Sequence, residues 1–79
     1  MKNKNFELYI KYISDLIKDN AKNAKLEADN PKKGEVDYNT GYLMAYHEVI
    51  ATMKNQAPFF DLTSEELNLA DIEPERDLL

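Results

Sequence analysis

The chain has 79 residues and a mass of 9.2 kDa, room for one small domain that buries only about 60–65% of its unfolded surface and needs a supplement to its core. With no cysteine and one histidine, it excludes disulfides, thiolate metal or redox sites and any multi-histidine metal site within one chain. A net charge of −5, with 43% hydrophobic residues including five Tyr and three Phe, describes a folded acidic protein rather than a disordered one.

No apolar run approaches the ~18 residues of a membrane span, and Met1-Lys2-Asn3-Lys4 leads into no signal-type apolar stretch. A cytoplasmic, reducing location and no membrane partner are therefore expected.

Residues 5–29 are predicted to form one long helix. At 100° per residue, Phe6, Tyr9, Ile10, Ile13, Leu16, Ile17, Ala21, Ala24 and Ala28 fall within an arc of about 140°, and Tyr12 widens it to about 180°. Tyr9–Ile13 alone could suit a strand, but the 3–4 spacing persists for six turns. The second half of the face is all alanine, which lets a neighbour approach closely but buries little area per residue. Asn20 lies near the centre of the arc. It either fixes register or oligomeric state, or is an asparagine reached by solvent.

Residues 30–36 form the connection. Pro31 drives Asn30 out of the α region, and Gly34 allows a free turn. So short a link makes the next helix an antiparallel neighbour. That helix is predicted over 37–57, capped by Asp37 or Asn39 and ended by Pro58. Leu43, Tyr46, Ile50, Met53 and Ala57 are spaced 3, 4, 3, 4, a coiled-coil seam. Gly41, a poor helix former, is expected to allow close contact with the facing helix.

In the remaining stretch, 58–79, Thr63 and Glu66 make a capping box, and Leu62 and Leu67 a hydrophobic staple. They open a short third helix over about 64–70, which Asp71-Ile72-Glu73-Pro74 breaks. Glu73 with Pro74 can start one more turn. The expected fold is all-α: one domain, an antiparallel helical hairpin with a short third helix. Two hairpin helices cover one stripe on each other, yet Phe59, Phe60, Leu62, Leu67, Leu69 and Ile72 also ask for burial. Dimerisation into a four-helix bundle is the expected remedy. Ile10, Ile13, Ile17, Leu43, Tyr46, Ile50 and Met53 form the candidate dimer or core seam.

Charge divides along the chain. Residues 1–36 hold eight Lys against six acids, and 37–79 hold Lys54 and Arg76 against nine acids. Segment 61–79 carries seven of those acids and only Arg76, a net of −6. Nucleic-acid binding is not expected, because phosphate neutralisation needs clustered Lys and Arg. The lysines of the first half alternate with acids and read as a solvated helix face. The acidic tail can fold over its own basic helix, meet a basic protein partner, or simply solubilise the chain. Glu65, Glu66, Asp71, Glu73, Glu75 and Asp77 are the candidate acids for such a partner.

No constellation for catalysis emerges. His47-Glu48 opens like a zinc-protease helix, but position 51 is Ala, so the second ligand is missing. A general base needs a reactive neighbour, and no serine lies near His47 in sequence. Boundary packing or a partner contact is its expected role. Asp29–Gly34 places lysines where a calcium loop needs oxygen ligands, and no glycine-rich nucleotide loop is present. No cofactor or metal is expected. Tyr38, Tyr42 and Tyr46, spaced i, i+4, i+8, are read as packing on the first helix, as an exposed partner strip, or as a base-stacking platform.

Gly41-Tyr42-Leu43-Met44-Ala45-Tyr46-His47-Glu48-Val49-Ile50 resembles small bacterial proteins of unassigned function that share a Gly-Tyr-Leu-x-Ala-Tyr-x-x-Val-Ile helix after a variable helix. The resemblance covers residues 38–62 and implies a helical hairpin, with no activity or catalytic residues attached. The expectation is a non-enzymatic helical interaction module, homodimeric. The alternative is an acidic inhibitor, comparable in length and charge to the immunity proteins that block bacterial nucleases, though their partner-binding motif is not found.

Overall fold

A computed structural model describes residues 2–79, with side chains from Lys4 onward. Helix α1 spans Lys2–Asp29 and α2 spans Val36–Gln56; a 3-10 turn, Ala57–Phe60, follows, and a short α3 covers Pro74–Asp77. No strand occurs among the described residues. Helix α1 has 28 residues and α2 has 21, about 42 and 31 Å at 1.5 Å per residue, and they pack against each other as a hairpin.

The α1 terminus forms as the Asn-Pro pair dictates. The Asn30 N–H donates to the Leu26 carbonyl at 3.1 Å, and the chain turns through Gly34 at φ 84°, a backbone conformation that glycine adopts without a Cβ penalty. Helix α2 then starts at Val36. Glu35 stands at its N-cap with no side-chain hydrogen bond, so neither Asp37 nor Asn39 caps it. Asp37 lies in the first turn, where a carboxylate favours the helix dipole. Asn39 is buried instead, and its Nδ2 donates to the Glu27 carbonyl at 3.3 Å, tying α2 to the end of α1.

The core consists of Ala21, Ala24, Leu43, Ile50, Ala57, Leu67, Leu69, Ile72 and Leu78, with Ile10, Ile17, Ala28, Tyr46 and Met53 packed at its margin. The alanine half of α1 therefore is a true core face. Asn20 is exposed, which matches the solvent-reached reading.

Gly41 departs from expectation. It is exposed, and a Cβ built there would meet nothing within 4 Å, so it provides no close approach to α1. Its lack of a side chain only leaves the unfolded chain freer. Gly41→Ala is expected to stabilise the protein by roughly 0.5–1 kcal/mol, read as a rise in thermal midpoint. A fall would mean that something packs on this position.

The C-terminal segment folds back over the hairpin. The capping box forms as read: the Thr63 N–H donates to Glu66 Oε1 at 3.0 Å, and the Glu66 N–H donates to Thr63 Oγ1 at 3.2 Å. The short helix expected over about 64–70 does not form; residues 64–68 make a single turn. Asn68 takes a left-handed conformation, φ 59°, while the Leu69 N–H reaches the Ser64 carbonyl at 2.8 Å and the Asn68 N–H the Glu65 carbonyl at 3.0 Å. This pair of bonds is a Schellman closure, which ends a helix after one turn. The third helix lies later, at Pro74–Asp77, with Pro74 at its first position. Leu67, Leu69, Ile72 and Leu78 are buried by this return. Phe59 and Phe60 are not, being 79% and 72% exposed. The 3-10 turn directs Ala57 inward, and Asp61, at φ 56°, reverses the chain behind them.

Candidate functional site

The hairpin has two broad faces, and the C-terminal segment covers one of them. Its anchors are two lysines. Lys18 is only 4% exposed; its Nζ donates to Asp71 Oδ1 at 2.8 Å and to Asn68 Oδ1 at 3.4 Å, with Asp15 also at 3.4 Å. Lys54 Nζ donates to the Ile72 carbonyl at 2.6 Å and to Glu73 Oε2 at 3.4 Å. Asn68 Nδ2 adds donors to the Lys11 carbonyl at 3.0 Å and to Asp15 at 2.7 Å. The tail thus docks on both helices. Lys18 corrects the reading of the α1 lysines as a uniformly solvated face. Lys18 shares its helix side with Ser14 and Ala21, both buried, and residue type alone gave no signal of this.

Four of the six acids singled out for a basic partner are engaged within the chain, two of them in this docking. Asp71 faces Lys18, Glu73 faces Lys54, Glu66 closes the capping box, and Asp77 binds both Arg76 and the Glu73 N–H. Hydrogen bonding from Lys18 holds the Asp71 carboxyl below its ordinary range. Arg76, then the Glu73 N–H, do the same for Asp77. Glu65 and Glu75 are exposed and make no salt bridge among the described residues.

The opposite face of the hairpin is open. On α1, Tyr9, Ile13 and Leu16 lie about 140–180° around the helix from Lys18; on α2, Tyr38, Tyr42, Ala45 and Val49 lie about 120–180° from Lys54. None of them is charged. Tyr9, Leu16, Tyr38, Tyr42 and Val49 are exposed, while Ile13 is half-buried. The tyrosines form a continuous strip: Tyr38 stacks on Tyr42 with centroids 5.9 Å apart, and Tyr42 meets Tyr46 edge-on at 5.2 Å. The Tyr42 and Tyr46 hydroxyls are 3.4 Å apart, and this hydrogen bond raises the Tyr42 phenol above its ordinary range. Only Tyr46 packs on the core, so the strip is mainly an exposed one.

Within the seam, Leu43 and Ile50 are buried inside the single chain, and Ile10, Ile17, Tyr46 and Met53 flank them. The central seam positions therefore belong to the intramolecular core. His47 is half-buried, and its Nε2 is enclosed without a hydrogen-bond partner, as is the Ser14 hydroxyl on the other helix. No group of three or more His, Asp or Glu side chains is placed to hold a metal among the described residues. No described helix is long and apolar enough to cross a membrane.

In comparisons with known proteins, no family model matches the chain, and no curated protein or solved structure matches it.

Proposed function

We propose that this chain is a non-enzymatic helical protein–protein interaction module that acts as a homodimer. The observation that carries the reading is excess surface. The chain exposes 6007 Å², whereas a compact monomer of its mass exposes about 4,900 Å². Its radius of gyration is 14.1 Å, against about 11.6 Å for a compact domain of this length. The difference of about 1,100 Å² exceeds the roughly 800 Å² that each partner contributes to an ordinary stable interface.

The acidic-inhibitor alternative draws less support, since Asp71, Glu73 and Asp77 are engaged within the chain. It predicts a basic partner whose affinity falls steeply with salt. Molar mass by light scattering behind size exclusion, at two concentrations and two salt strengths, tests the homodimer. A mass near twice 9.2 kDa under all conditions is expected. A folded monomer at low micromolar concentration, with an unchanged melting temperature, would overturn it.

A further inference from the structure

We infer that the second copy docks on the open face of the hairpin, centred on Leu16 of α1 and Val49 of α2, and not on the seam or the exposed phenylalanines. The inference rests on the homodimer reading and names its surface. Three observations select this face. The seam is unavailable, because Leu43 and Ile50 are already buried within one chain. The other broad face is closed by the C-terminal segment through Lys18 and Lys54. Around Leu16 and Val49 the open face is uncharged and bears aromatic groups, the composition of a desolvated interface core, while Glu27, in line with Tyr9, puts a carboxylate at its Tyr42 end.

Its size agrees. The molecule measures 49 × 21 × 16 Å, so a broad face projects at most about 1,000 Å², which leaves room for the ~800 Å² a stable partner must cover. Leu16 and Val49 are 44% and 45% exposed: each already leans on its own chain and leaves nearly half its surface for another. Two such faces stacked together make a four-helix bundle with both C-terminal segments outward. The exposed phenylalanines of the 3-10 turn lie at one end of the hairpin, off the middle of this face.

The test measures self-association of the full chain by sedimentation equilibrium, with helicity checked by circular dichroism. Leu16→Lys and Val49→Lys are each expected to weaken dimerisation on the order of 100-fold, because a charge would be buried without a partner. Phe60→Ser is expected to leave it unchanged. The chain has no native cysteine, so a nitroxide on Val49→Cys gives a second readout should a lysine variant fail to fold. It is expected to be immobilised at high concentration and mobile on dilution, while a label on Glu75→Cys stays mobile throughout. A dimer unaffected by both lysine variants, or a mobile label at position 49 in the dimer, overturns the assigned face and leaves the homodimer intact. A wild-type chain that remains monomeric, including one that pairs only with a different protein, overturns both.

Discussion

Ile50→Ala is expected to destabilise the protein by about 3 kcal/mol. Ile50 is fully buried in the middle of α2, where the core residues of α1 and the returning C-terminal segment meet. Truncation removes buried methyl and methylene groups and leaves a cavity, a combination that costs about 2–5 kcal/mol in close-packed interiors. A chain of this size has only about 4–12 kcal/mol of total stability, so the melting temperature is expected to drop by roughly 15–20 °C. Ile50→Val, which keeps most of the volume, is expected to cost about 1 kcal/mol. Val49, its exposed neighbour, is the natural control: Val49→Ala measured on the monomer should move the midpoint far less. Equal effects at 49 and 50 would show that α2 is rotated from the phase described.

Lys18→Ala is expected to cost about 2 kcal/mol, while Lys18→Met is expected to cost less than about 1 kcal/mol. The asymmetry follows from what is buried. The Lys18 side chain is 5% exposed, whereas Asp71 across the ion pair is 63% exposed. Alanine removes three buried methylenes at about 0.8 kcal/mol each. Methionine keeps most of that volume, drops a desolvated ammonium, and leaves behind carboxylates that water can solvate. The reverse change, Asp71→Ala, strands the ammonium with Asp15 and Asn68 as its remaining partners, each at 3.4 Å.

Acid acts on the same contact. Because Lys18 holds the Asp71 carboxyl below its ordinary range, the ionised form is favoured in the folded chain. The associated stability is complete above the unfolded carboxylate pKa of about 3.9 and is lost as pH falls through the lower folded value. Melting temperatures between pH 7 and pH 2 should show the wild type losing more stability below about pH 4 than Asp71→Asn loses. Parallel curves for the two would mean that the pair contributes nothing to docking the tail.

Much of the architecture was legible from apolar spacing. Residues 5–29 and 37–57 anticipate α1 and α2 with small shifts at their ends, since a 3.6-residue period over several turns has no competing explanation. Asn30-Pro31 and Thr63–Glu66 did locally what their chemistry requires. The errors fall where two local preferences compete. Asn68 follows a sound capping box yet holds the segment to a single turn in place of the expected helix, because asparagine tolerates the left-handed region and the closure lets Leu69 reach the core. The tyrosine strip was legible as a strip, but its exposure was not, because a wheel measures angle and not what stands opposite.

By itself the sequence determined the helices, the hairpin, the uneven charge and the absence of disulfide or thiolate chemistry, all of which follow from residue type and short-range spacing. Only the tertiary structure decided that Lys18 is buried, that the acidic tail is bound to its own chain, and that one face of the hairpin is left open. Those outcomes depend on contacts between residues some 50 positions apart, such as Lys18 and Asp71. Whether a side chain is solvated or desolvated there is set by the element that arrives from the far end of the chain, and no local pattern encodes its arrival.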